Sequence, residues 1–223
     1  MNPTRTSKKA TLAAFGLILV SAVAGVAQAG FVYYDTAAPT NSPAINTTNA
    51  NDFRSQLTAA GVTNYSLGRS LGVSNVGAGA EIQIDFFAAE AGYNNQFRVG
   101  SDLVINNTGN KSWMARDYGI FHVNTNSRLN FSFCAVNVNL CLSNQTNDTT
   151  RSSSLASIGM WISADRNTAW LLWDDSGAGS DDNHDDLIVR LTYRSVPEPG
   201  TLALLGLGLV GIAFARRRIA ARN

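Results

Sequence analysis

Residues 81–88 read Glu-Ile-Gln-Ile-Asp-Phe-Phe-Ala. Ile82, Ile84 and Phe86 alternate with Gln83 and Asp85, the period-two pattern of a strand with one buried face and one wet face. The alternation returns in RLNFSFC (128–134), through Leu129, Phe131 and Phe133. It returns again in DLIVRLTY (186–193), where Leu187, Val189, Leu191 and Tyr193 oppose Arg190 and Thr192. IGMWIS (158–163) and TAWLLWD (168–174) are more continuously apolar and suit central, well-buried strands. FVYYD (31–35), FRVGSDLVINN (97–107) and YGIFHVN (118–124) add further strand candidates, the last placing His122 on a strand. Many short strands without alternating helices predict an all-β chain, an antiparallel β-sandwich or jelly roll. One short helix is expected in NANDFRSQLTAAG (49–61). Asn49 or Asn51 would be its N-cap, Gly61 would lie just past its end, and Phe53 and Leu57 would share a face.

The two ends differ from this middle. Met1–Ala29 has a basic stretch (Arg5, Lys8, Lys9), an apolar stretch and then Ala27-Gln28-Ala29. That is the layout of a secretory signal peptide, with Ala27 and Ala29 at the positions that direct cleavage after Ala29. Residues 30–195 are then one exported domain. It carries ten Lys and Arg against fifteen Asp and Glu, a net charge of −5, although the whole chain is formally +1. An acidic domain without a basic patch excludes nucleic acid as a partner, because phosphate neutralisation needs clustered cations.

Export exposes the two cysteines, Cys134 and Cys141, to an oxidising compartment where they can pair. At a spacing of seven, a continuous strand would send them to opposite faces. A disulfide therefore requires the chain to turn near Asn137–Asn139. Six Asn-x-Ser/Thr sequons occur, at Asn46, Asn64, Asn106, Asn130, Asn144 and Asn147, and in a chain this rich in Asn and Thr they read as composition.

The most chemically loaded stretch is WDDSGAGSDDNHDDL (173–187), with six Asp between 174 and 186. So many carboxylates between two apolar strands repel one another unless water or a cation screens them. Hard cations such as Ca²⁺ take several oxygen ligands from carboxylates, amides and carbonyls. Asp175, Asp181, Asn183, Asp185 and Asp186 are the candidate ligands. Asp181-x-Asn183-x-Asp185 begins like an EF-hand loop, but Asp186 stands where that loop needs Gly and Thr192 where it needs Glu. The stretch resembles the C-terminal signature of the DUF4114 family of secreted bacterial proteins. Trp173-Asp174-Asp175 fits its aromatic-acidic-Asp triplet, and Asp181, Asp186 and Leu187 fit its end. Asn183, His184 and Asp185 depart from it. The resemblance implies a β-sandwich and calcium binding.

No catalytic constellation stands out. His122 and His184 are the only histidines, and no G-x-S-x-G elbow is present. An acidic hairpin lacks the apolar pocket that tunes a carboxyl for acid catalysis. The expectation is a protein that is not an enzyme. Two or three of the four tryptophans read as core, with Trp113 the exposed one.

The chain closes with VPEPGTLALLGLGLVGIAFARRRIAARN (196–223). Pro199–Ala215 carries no charge, and its 17 residues would span about 25 Å as a helix. That is just short of the roughly 30 Å hydrocarbon core, so a single transmembrane helix over about 200–215 is expected, with Arg216, Arg217 and Arg218 on the cytoplasmic side. The GxGxxG string at 206–211 follows no strand and is a coincidence of small residues. Pro197-Glu198-Pro199, a short apolar run and a terminal Arg cluster resemble the PEP-CTERM sorting signal of Gram-negative bacteria. The resemblance implies a transient inner-membrane anchor, processing by an exosortase, and release to the cell surface or an exopolysaccharide matrix. The expected function is a non-catalytic module that binds glycan or matrix, with calcium as a possible cofactor; the alternatives are a purely structural matrix component and a secreted hydrolase.

Overall fold

The computed structural model describes residues 28–34, 52–144, 156–175, 183–196 and 200–220, the side chains of 201–203, 214–216 and 218–220 excepted. In chain order the elements are β1 (Gly30–Tyr33), α1 (Arg54–Ala59), β2 (Leu71–Ser74), β3 (Ala80–Ala88), β4 (Asn94–Val99), β5 (Asp102–Thr108) and β6 (Arg116–Val123). They continue with β7 (Ser127–Arg128), β8 (Phe131–Ala135), β9 (Leu140–Ser143), β10 (Ser157–Ile162), β11 (Thr168–Asp174), β12 (Leu187–Ser195) and α2 (Thr201–Ala220). The signal-peptide reading falls on residues that, up to Ala27, lie outside the described ones, as do Asn49, Asn51 and Pro197–Pro199.

The strands form three antiparallel sheets: β10-β11-β12-β3-β6, β5-β4-β8-β9 and a small β1-β2-β7. Their apolar faces meet in one core, which takes Ile82, Ile84, Phe86, Leu171, Val189 and Leu191 from the first sheet. Phe97, Phe131 and Phe133 come from the second, and Phe31, Leu71 and Val73 from the third. Phe133 stacks on Trp173 with ring centroids 5.4 Å apart and planes 10° from parallel. That contact closes the five-stranded sheet onto the four-stranded one. The alternation in 81–88 thus does what its period requires: Ile82 and Ile84 are buried while Gln83 stays partly wet.

Several expectations are corrected by the packing. RLNFSFC is not one strand. It divides at Leu129–Asn130 between β7 and β8, and so between two sheets. IGMWIS (β10) stands at an end of its sheet rather than at the centre. It is buried there because Ser66 pairs with Met160 outside it, with hydrogen bonds of 2.7 and 2.9 Å between their backbones. Trp113 is not exposed. It stacks on Trp170 at 5.7 Å and packs on Phe87 at 4.9 Å. With Phe53, Leu57 and Leu172 these rings build a second apolar cluster.

The helix of 49–61 shortens to α1, whose N-cap residue is Phe53 with no side-chain cap. Its C-terminal signal holds. The N–H of Gly61 donates to Thr58 and that of Val62 to Leu57, a Schellman closure that Gly61 permits at φ +87°. At the other end of the chain the expected transmembrane helix is corrected to α2. Among the described residues no helix is long and apolar enough to cross a membrane. The reason is in the sequence: every 18-residue stretch of α2 takes in Arg216, Arg217 and Arg218.

Candidate functional site

The acidic corner is built where β11 ends and β12 begins. Asp174 closes β11 and pairs with Ser157 of β10. Asp175 follows it. Asn183, His184, Asp185 and Asp186 lead into β12 at Leu187. All six of these corner side chains, Asp174, Asp175 and Asn183 to Asp186, are buried, with Asp174, His184 and Asp185 fully so. Asp181 lies outside the described residues.

The hydrogen bonds divide the corner into two groups. One group holds Asp175 and Asp186. The N–H of Asp175 donates to Oδ2 of Asp186 at 2.8 Å. Asn95 of β4 donates from Nδ2 to Oδ2 of Asp175 at 2.6 Å and accepts from the indole N–H of Trp173 at 3.1 Å. Burial, and then the charge of Asp175 beside it, pushes the Asp186 carboxyl up to about 9, with Asp174 and Asp185 adding to the rise. Asp186 therefore holds its proton at neutral pH, which relieves the repulsion across the pair.

The other group centres on His184, which sits at φ +58°. Its Nδ1 is 3.1 Å from the Tyr65 hydroxyl and its Nε2 is 2.7 Å from Ser157 Oγ. Asp174 Oδ2 lies 3.9 Å from Nδ1. The rings of Tyr65 and His184 pack at 4.7 Å. Ser157, His184 and Asp174 have the residue types of a hydrolase triad. Tyr65, however, takes the nitrogen that a triad gives to its aspartate, and Ser157 is 94% shielded from solvent. Asp185 belongs to neither group. Its Oδ2 accepts from the N–H of Asp52 at 2.8 Å, and its carbonyl accepts from that of Glu90 at 2.9 Å.

Of the five candidate calcium ligands, the structure places Asp175 and Asp186 side by side, while Asp185 near them accepts from the N–H of Asp52. Among the described residues no three His, Cys, Asp or Glu side chains converge as a metal-binding group. Asn95 is the residue that sequence reasoning missed. It stands in a polar run, YNNQF, and only strand pairing brings it beside a stretch 80 residues away. Cys134 and Cys141 are joined by a disulfide across β8 and β9, with Cα atoms 4.0 Å apart. The turn between them is a 3₁₀ turn at Val136–Val138, closed by Asn139 in the left-handed region at φ 55°.

Residues 195–218 match the PEP-CTERM protein-sorting motif. The match spans Pro197-Glu198-Pro199 and Arg216–Arg218. The motif marks an exported protein that is held transiently at the membrane by its C-terminal tail and processed by an exosortase, in keeping with a cell-surface destination. No curated protein and no solved structure matches the chain.

Proposed function

We propose that the exported domain is a non-catalytic binding module of the cell surface or exopolysaccharide matrix of a Gram-negative bacterium, engaging a glycan or matrix polymer and stabilised by calcium. The sorting motif at 195–218 carries the destination. Signal-peptide cleavage after Ala29 and loss of the tail near Pro197–Pro199 would leave this domain as the mature product.

Calcium is supported by the buried pair of Asp175 and Asp186. One of these carboxyls must stay protonated to be buried beside the other, and a hard cation takes the place of such a proton. The resemblance of 173–187 to the DUF4114 signature supports the same reading. A non-catalytic role is supported by the Ser157–His184–Asp174 arrangement, whose hydroxyl and imidazole are buried side-chain contacts rather than groups open to a substrate.

A glycan array probed with the full chain, with and without Ca²⁺, tests the proposal. Specific binding that weakens on chelation supports it. Absence of binding under both conditions favours a structural matrix component without a discrete ligand.

A further inference from the structure

A second polar concavity shares no residue with the acidic corner. It opens where edge strand β6 and the residues after it meet β7 and the β4–β5 turn. It encloses about 400 Å³, within the usual range for small-ligand sites. Phe121, His122, Asn124, Arg128 and Asn130 line it beside the turn residue Gly100. Among the described residues no Asp or Glu lines it, although the domain carries a net charge of −5.

Arg128 is the unusual member. Its guanidinium carbon lies over the Tyr34 ring, 5.4 Å from the centroid. Gly72 stands opposite Arg128 in the β2–β7 pairing. A Cβ at Gly72 would come within 2.5 Å of the Tyr34 ring, so glycine there leaves room for this stack. The stack fixes the plane of the guanidinium without using its donors. Arg128 Nε is buried and has no hydrogen-bond partner among the described residues. Three other arginines of the domain are engaged: Arg190 pairs with Asp85 at 2.8 Å, Arg98 with Gln96, and Arg166 with the Phe31 carbonyl and Ser74 Oγ. A buried donor without an acceptor costs free energy, and a planar fork held by an aromatic ring is built for a carboxylate.

The rest of the lining suits a sugar. Asn124 and Asn130 offer amide donors and acceptors for hydroxyls, His122 adds a ring nitrogen, and Phe121 gives an apolar surface for the C–H face of a pyranose. We propose that this cleft binds a uronic-acid residue of an acidic polysaccharide, with the sugar carboxylate on Arg128. The inference rests on the glycan-binding reading above and names its ligand class and its place. An acidic polymer is repelled by the net charge of this domain and meets a cationic opening here, with no carboxylate among its described lining residues.

The test is calorimetric titration of the full chain with oligogalacturonate and with a neutral cello-oligosaccharide of equal length. Oligogalacturonate is expected to bind in preference to the neutral sugar. Arg128→Ala should weaken it on the order of tenfold or more. Arg98→Ala, which removes an equal charge outside the cleft, should not. Asn130→Asp places a carboxylate at an exposed cleft position and should weaken binding likewise, which keeps the test open if Arg128→Ala does not fold. Undiminished binding in folded Arg128→Ala or Asn130→Asp overturns the cleft and leaves the module reading standing. A wild-type chain that binds only the neutral sugar overturns the acidic specificity alone. A chain that binds no saccharide overturns both readings.

Discussion

The main-chain N–H of Asp175 is hydrogen-bonded to the side chain of Asp186, 11 residues away, at 2.8 Å, and the two buried carboxyls share one neighbourhood. The folded-state value for Asp186, about 9, lies far above its ordinary 3.8. Between those values the folded protein keeps a proton that the unfolded chain has released. The resulting stabilisation is complete below pH 3.8 and is lost as pH rises through 9. Thermal unfolding of the chelated protein should therefore shift to lower temperature as pH is raised from about 5 to about 9. Asp186→Asn, which cannot ionise, should flatten that slope. A wild-type profile already flat across this window contradicts the account.

Calcium should oppose the same slope. A ligand that binds only the folded state adds about 2.7 kcal/mol at a hundredfold excess over its dissociation constant. Millimolar Ca²⁺ is thus expected to raise the melting temperature by several degrees, more at high pH than at low pH, because the cation competes with the Asp186 proton. Asp175→Asn should abolish the response. Superimposable melting curves with calcium and with chelator would remove the calcium proposal.

The Cys134–Cys141 bridge closes a short loop, so its entropic contribution is modest. For a separation of 7 the chain-entropy estimate is about 2–3 kcal/mol. The double variant Cys134→Ser, Cys141→Ser should still fold but denature at lower urea concentration. A loss well beyond that range would mean that the bridge also holds β9 in place.

Asn144 is fully buried and ties two sheets together. Its Oδ1 accepts from the N–H of Leu71, and its Nδ2 donates to the carbonyls of Leu71 and Leu129. Asn144→Ala removes the partner of the Leu71 N–H and of the Leu129 carbonyl, while the Leu71 carbonyl keeps the N–H of Leu129 at 3.0 Å, and it should cost about 2–4 kcal/mol in chemical denaturation. The same burial predicts that Asn144 carries no glycan in a glycosylating host, although its sequon is intact. Modification there, detected by peptide mass spectrometry, would contradict the placement.

Mass spectrometry of the mature protein from its host should find a chain that lacks Arg216–Arg218 and ends near Pro197–Pro199. A C-terminus intact at Asn223 would contradict processing at the sorting motif.

Strand periodicity made most of this fold legible, because Ile82, Val189 and Phe133 each had one face to bury and a polar neighbour to expose. It could not reveal where an alternating run changes sheets. Leu129 and Phe131 keep the period across the break at Asn130, and only long-range pairing of Gly72 with Arg128, and of Val99 with Phe131, separates them. Nor could it show that β10 is covered by Ser66, a contact nearly a hundred residues away in sequence. The acidic residues of the corner were visible by density, but their division was not. Asp174 and Asp175 are adjacent letters that end in different surroundings, one beside His184 and the other beside Asn95. The Arg128 cleft left no local signal, since its lining is assembled from the β4–β5 turn, β6 and the segment from Asn124 to Asn130.

The chain leaves the domain at the end of β12, where Ser195 pairs with Ala80 and the N–H of Val196 reaches the Gly79 carbonyl at 3.0 Å. Any drag on a tethered domain is transmitted through that exit. β12 is flanked on both sides, by β11 and by β3, so a pull on Ser195 runs along the strand and across two ladders of hydrogen bonds at once. The ladders share the load in shear, whereas an edge strand pulled from its end would peel one bond at a time. While the tail holds it at the membrane, the domain hangs from the central strand of its largest sheet rather than from an edge.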